Sequence, residues 1–440
     1  MKTPICDFLK RYDEGGFARF HMPGHKGQGE IEKYDITEVF GADNLFSPTG
    51  IIKESEDIAT ELFGTEHTYY STEGSTLAIK AALALVSFGK VGGKILAGRN
   101  AHKSFLHGAA LLDLEVSWIE GKGGHICSSK IEPCDVEMAL TDNTESLAVY
   151  ITSPDYLGNI LDVRGIAEVC HKRNVPLIVD NAHGAYLAFL SKTAHPIALG
   201  ADICCDSAHK TLPVLTGGAY LHISKGAKKG YTQNARRALS LFASTSPSYL
   251  ILESLDRCNR YISDGYRQLL CDFIGKTDRF KNEISALGLE VMNTEPCKIV
   301  IKPLSYGYTG EELAERLREA RIEPEYCDRF YTVLMLTPNV TDESLERLSS
   351  ALASLERRAS RDGREPALPK SRQRVMSIRD AMLAKAQRVP TELSVGKICA
   401  EPTVSCPPAV PVLISGERIC EEDVAILQAY GINEISVVEE

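Results

Sequence analysis

The chain lacks most of what would mark a membrane, secreted or nucleic-acid-binding protein. No apolar run approaches the length of a membrane span. Met1-Lys-Thr-Pro-Ile-Cys-Asp-Phe-Leu-Lys10 has no apolar core long enough for a signal peptide. Positive charge is in short supply, and a formal net charge of −10 argues against a generic nucleic-acid binder. That deficit does not exclude an anionic cofactor, because phosphates are usually bound by local dipoles and hydroxyls. The 13 cysteines are odd in number and include no Cys-x-x-Cys pair. Reduced thiols in a cytoplasm explain them better than a disulfide framework or a zinc site. Gly89-Lys-Val-Gly-Gly-Lys94 has the wrong spacing for a phosphate loop and no Ser or Thr after the Lys. His21 and His25 are four apart, but Pro23 and Gly24 forbid the helix that a zincin site needs. Internal repeats and low-complexity tracts are also absent.

What is present is an ordinary globular composition in 440 residues, enough for two or three domains and a large core. Residues 1–45 look irregular and form an N-terminal segment. From 46 to 240 helix and strand alternate, which predicts a large α/β domain around a mostly parallel sheet. Leu77–Phe88 and Asp162–Arg173 read as helices. Lys94–Ala97, Leu147–Ile151 and Val175–Asp180 read as buried strands. Residues 241–359 form a smaller α/β region. Leu250–Leu269 looks helical, Thr309-Gly-Glu-Glu312 is a capping box, and Asp342–Arg358 is an amphipathic helix. Residues 360–393 read as a linker followed by a basic helix, Arg372–Arg388, and 394–440 as a small capping domain.

The chemistry concentrates in a few short stretches. Ala201-Asp-Ile-Cys-Cys205 runs into Asp206-Ser-Ala-His-Lys210. A lysine where a buried strand gives way to a loop suits a Schiff base to the aldehyde of pyridoxal 5′-phosphate (PLP) better than a surface charge. Ser207 and His209 are placed to bind the phosphate. Such a cofactor needs a carboxylate at its ring nitrogen, and Asp180 ends a strand in Asp180-Asn-Ala-His-Gly-Ala185. Asp is also an ordinary helix cap there. Ala182 is small enough for a ring to pack behind it. His183 sits near the ring or the substrate, or is structural. Glu73-Gly-Ser-Thr76 precedes a helix, so Gly74, Ser75 and Thr76 form an anion site at its N-terminus. His102, after a strand in Arg99-Asn-Ala-His-Lys103, is placed to stack on the ring or is structural, as a lone His more often is.

Together these stretches resemble the bacterial Orn/Lys/Arg decarboxylase family. The matching segments are His21-Met-Pro-Gly-His-Lys-Gly27, Asp43-Asn-Leu45, Glu73–Thr76, Arg99–Lys103, Val179–Gly184, Ser207-Ala-His-Lys-Thr-Leu-Pro213 and Ser244-Thr-Ser-Pro-Ser-Tyr249. Weaker matches follow in Ser394–Glu401 and Pro407-Pro408. The resemblance implies a fold-type-I PLP-dependent large domain with smaller α+β C-terminal domains, in the compact form without an N-terminal wing domain. It implies that Lys210 binds PLP, Asp180 pairs with the ring nitrogen, and His102 stacks on the ring. Ser75, Thr76, Ser207 and His209 then hold the phosphate. Thr245 and Ser246 reach the neighbouring subunit's cofactor in a homodimer or higher homo-oligomer. The implied activity is α-decarboxylation of arginine, lysine or ornithine, with Lys210 or His209 returning a proton to Cα. Glu401 is the first candidate for the distal substrate cation, with Glu73 and Asp43 after it. The chain departs from the family pattern at Gly217-Gly218, where a Gln is usual. Cys406 and Ala409 replace Tyr and Gly around Pro407-Pro408, and Glu73 replaces a common Asn. Another PLP reaction on the same scaffold, or a non-catalytic regulatory paralogue, stays open on these residues alone.

Overall fold

In the computed structural model, the structure describes residues 1–90, 92–119, 121–122, 125–363, 365, 372–402 and 410–439. Cys406 and Ala409 lie outside these residues. So do Pro366 and Pro369 of the expected linker. The chain divides into two compact units that are discontinuous in sequence. The first comprises Met1–Val91, Leu147–Ser153 and Val163–Leu269. The second comprises Gly92–Ser146, Pro154–Asp162 and Leu270–Glu440.

The fold is α/β. Seven strands make up the large sheet: β1 (His67–Ser71), β2 (Gly93–Gly98), β3 (Leu114–Ile119), β4 (Ser146–Thr152), β5 (Leu177–Asp180), β6 (Ile203–Asp206) and β7 (Ala219–Ile223). The first unit carries five of them in the order β1-β7-β6-β5-β4. β4, β5 and β6 are parallel, and β7 runs antiparallel to both β6 and β1. β1 therefore points the same way as β4, β5 and β6, and all four end at one edge. β5 and β6 are buried at every residue, as parallel strands covered on both faces must be. That is why they read as continuous apolar runs in the sequence.

The helix Gly74–Ser87 follows β1. Leu77–Ser87 is buried throughout apart from Lys80, so this helix is a core element rather than an amphipathic surface one. Its N-terminus is thereby fixed at the sheet edge where β5 and β6 end. The helix Val163–Lys172 buries Ile166 and Cys170 as expected. The helical stretch expected over 250–269 forms as Tyr249–Tyr261. A turn with Gly265 at φ +99° interrupts it before Arg267–Ala286.

The second unit holds the parallel pair β2 and β3. It also holds an antiparallel sheet of β8 (Glu290–Val291), β9 (Lys298–Lys302), β10 (Tyr326–Cys327) and β11 (Thr332–Met335), in the order β10-β11-β9-β8. β12 (Ala386–Pro390) pairs with β13 (Glu434–Val438). Val300, Val333, Cys399, Leu427 and Val437 share one apolar core. The Thr309 capping box forms, with the Thr309 hydroxyl accepting from Glu312 N and the Glu312 carboxylate accepting from Thr309 N.

Two expected helices differ. The one predicted over 342–358 stops at Ala353. Beyond it Tyr306 and Tyr308 donate their hydroxyls to the Leu355 and Glu356 carbonyls, and Arg358 N bonds to Tyr306 O. Those contacts replace the helical ladder. The basic helix over 372–388 does not form. The segment has one short helix, Ile378–Leu383, and then β12. Its arginines go to separate partners: Arg372 to Asp423, Arg374 to the Val116 carbonyl and the Glu115 carboxylate, and Arg379 to the Ala110 and Leu111 carbonyls. Pairing of β12 with β13 fixes the remainder.

Candidate active site

In an open parallel sheet, ligands collect beyond the carboxyl ends of strands. Here β5 ends at Asp180 and β6 at Asp206, and Lys210 follows in the short helix Ala208–Thr211. Lys210 Nζ lies 3.0 Å from His183 Nε2. His183 itself is buried. The sequence left its role open, and the structure places it beside the lysine.

Asp180 is buried, and both its oxygens are engaged. Tyr150 donates its hydroxyl to Oδ2 at 3.0 Å, and Ala182 N donates to Oδ1 at 3.1 Å. Burial raises its proton affinity above that of an ordinary carboxylate, against the opposing pull of Lys210, Tyr150 and the Ala182 N–H. Tyr150 was missed in the sequence because it sits inside an apolar run. The register gives it away: Thr152 pairs with Asp180, so Tyr150 shares that face of the sheet two residues earlier.

Ser207 donates its hydroxyl to Ser75 Oγ at 2.9 Å. Ser75 and Thr76 occupy the first turn of the helix Gly74–Ser87, whose leading N–H groups have no helical partner. Gly74 has φ +69°, and the space a Cβ there would enter is open. Hydroxyls, N–H groups and free volume thus converge at one helix N-terminus.

Gly217-Gly218, the departure from the family pattern, closes the adjoining loop. Gly74 N bonds to Gly217 O at 2.7 Å. Gly217 has φ +98°, and a Cβ there would stand 2.9 Å from the Thr72 carbonyl oxygen, so a side chain fails on both counts. Gly218 O accepts from both the backbone N and Nδ1 of His209, the latter at 3.0 Å. Burial lowers the proton affinity of His209. These contacts tie His209 to the loop.

The other candidates fall elsewhere. Glu73 is exposed, and its Oε1 accepts from Ser244 N at 2.7 Å. Thr245 and Ser246 are exposed on the same segment. Asp43 accepts from the Asn44, Thr49, Gly50 and Ile52 backbone N–H groups, which makes it the anchor of the helix Ile51–Phe63. His102 belongs to the second unit. It caps the helix Lys103–Leu111, its Nδ1 accepting from Ser104 N at 3.1 Å. Glu401, also in the second unit, is exposed. In that unit Arg99 pairs with Glu417 at 2.9 Å, which ties the loop before His102 to the C-terminal segment.

A fully buried cluster went unread in the sequence. Asp206 Oδ2 accepts from His195 Nε2 at 2.9 Å and from His222 Nε2 at 3.2 Å. Its Oδ1 accepts from Asn181 Nδ2 at 2.7 Å and from the Cys204 thiol at 3.3 Å. The residues were visible, but only the pairing of β6 with β7, Cys204 opposite His222, brings them together.

Lysine, carboxylate and hydroxyl cradle at the strand ends of this α/β fold define the fold-type-I class, whose members are PLP-dependent enzymes. The chain superposes on a crystal structure of the Francisella novicida lysine decarboxylase with a TM-score of 0.84, at 18% identity, covering 99% of this chain and 81% of that one. A family model described as Orn/Lys/Arg decarboxylase, major domain, matches residues 3–303. The arginine decarboxylase of Bacillus subtilis is 29% identical over 97% of this chain and 93% of its own. That of Halalkalibacterium halodurans is 30% identical over the same shares. The chain belongs to the Orn/Lys/Arg decarboxylase family, and it is a basic amino acid decarboxylase. Among the described residues no helix is long and apolar enough to cross a membrane.

Proposed function

We propose that this chain binds PLP through Lys210 and decarboxylates arginine to the corresponding amine. The observation that carries the reading is one sheet edge holding Lys210, the doubly bonded Asp180 and the Ser75–Ser207 hydroxyl pair within one compact unit. The donor set fits the cofactor. A primary amine suits its aldehyde, a buried carboxylate its ring nitrogen, and an open helix N-terminus with two hydroxyls its phosphate. When bound, PLP supplies an electron sink for the pair released as carbon dioxide leaves.

The protein's own groups then have defined tasks. Asp180, ionised, holds a proton at the ring nitrogen, and Tyr150 and the Ala182 N–H keep the carboxylate aimed. Ala182 leaves room for the ring. Gly74, Ser75, Thr76 and Ser207 hold the phosphate, with His209 positioning the loop beneath it. Lys210 would hold the cofactor's aldehyde and would move the proton to Cα, with His183 Nε2 3.0 Å from its Nζ to orient it. Thr245 and Ser246 reach a second copy's cofactor in a homodimer, and their exposure supports that role.

Arginine as substrate is supported by full-length relatives named arginine decarboxylases. The cytoplasm is the compartment that the free cysteines of the described residues favour. Lys210→Ala tests the reading: the visible absorption of the PLP-loaded protein and carbon dioxide release from arginine are both expected to vanish. A variant that keeps either would overturn it.

A further inference from the structure

We infer that Asp206, held by His195 and His222, is a positioning residue for the cofactor site: through Asn181 it fixes the end of β5 that carries Asp180, and it sets the negative potential there. The inference rests on the reading of Lys210 and Asp180 given above.

Asp206 is fully buried, yet all its accepting positions are filled. Two imidazole N–H groups meet Oδ2, and an amide and a thiol meet Oδ1. A buried carboxylate with four donors is stable as the anion. Burial alone would raise its proton affinity, but the two histidines outweigh burial and hold it well below the usual range. Burial lowers the proton affinity of His222 against the pull of Asp206, and its Nδ1 lies 2.9 Å from the Thr68 hydroxyl. Its Nε2 faces the Asp206 carboxylate, which only accepts, so Nε2 carries the proton there.

Asn181 carries the effect to the site. It is the residue after Asp180. Its backbone N bonds to Cys205 O at 2.9 Å, and its side chain bonds to Asp206 at 2.7 Å. Gly184 closes over it: a Cβ there would stand 2.0 Å from Asn181 Oδ1. Asn181 is therefore closely packed and held by two hydrogen bonds beside Asp180. The ionisable groups facing Asp206 are Asp180 from β5, Cys204 and Cys205 on its own strand, Tyr220 and His222 from β7, and His195. Asp206 is the second carboxylate of the site, and its charge raises the proton affinity of Asp180.

The test is a spectrophotometric pH titration of the PLP-loaded protein, wild type against Asp206→Asn and Asp206→Glu. Removing the charge should lower the midpoint of the visible band by ~1 pH unit, whereas the Glu variant should stay near wild type. Asn181→Leu removes the link while leaving the Asp206 charge, and should weaken PLP binding at least ~10-fold, the scale of one lost hydrogen bond to a charged group. It decides the positioning role even if Asp206→Asn does not fold. A wild-type midpoint in Asp206→Asn, or wild-type PLP affinity in Asn181→Leu, would overturn the inference. Wild-type protein without any visible band would instead overturn the assignment of Lys210.

Discussion

Tyr150→Phe removes a single oxygen from the buried face of β4 and leaves the ring to pack as before. The lost group is a donor to Asp180 Oδ2 at 3.0 Å. A hydrogen bond to a charged acceptor contributes about 1.5–3 kcal/mol, and this one favours the ionised carboxylate. One pKa unit corresponds to about 1.4 kcal/mol, so the proton affinity of Asp180 should rise by about 1–2 units. It is already raised by burial. Catalysis needs Asp180 ionised to hold the ring proton. A carboxylate that must be ionised fails as pH falls through its pKa, so a higher pKa moves the acid limb upward. The profile of kcat/KM for carbon dioxide release should therefore lose activity about 1–2 pH units earlier on acidification than the wild type. Activity on the plateau should change little. Circular dichroism and a urea melt check that the fold is intact. An unmoved acid limb in a folded Tyr150→Phe protein would refute the reasoning, because Asp180 would then not be the group whose ionisation limits the reaction.

Other expectations come from the same geometry. Ser75→Ala or Ser207→Ala should weaken PLP binding about 10-fold or more, a hydrogen bond to a charged group such as the phosphate being worth about 1.5–3 kcal/mol; kcat at saturating PLP should hold, and equilibrium titration of the apo-protein measures this. Gly217→Ala forces a Cβ onto φ +98° and 2.9 Å from a carbonyl oxygen, so its urea midpoint should correspond to a loss of about 1–3 kcal/mol. Glu417→Gln leaves the Arg99 guanidinium without its partner carboxylate. Breaking a mostly buried pair costs about 3–5 kcal/mol, which should appear as faster proteolysis of the C-terminal segment.

The large sheet was legible in the sequence because parallel strands buried on both faces appear as short apolar runs, one ending in Asp180 and another in Asp206 shortly before Lys210. The helix start at Gly74 was legible through its small and hydroxyl residues. Tyr150 and the Asp206 cluster were not, since each depends on which strands lie side by side. No local pattern sets Cys204 opposite His222. Gly217-Gly218 looked like a lost side chain at the pocket, yet the loop geometry requires glycine at Gly217. The basic stretch after 372 has helical composition, but its arginines satisfy separate distant acceptors, and tertiary contacts override local propensity there.

The central claim is met most directly by incubating the PLP-loaded protein with arginine, lysine and ornithine together and following carbon dioxide and the amines formed. Stoichiometric carbon dioxide with the amine of arginine in excess is the expected result. No carbon dioxide from any of the three would contradict it.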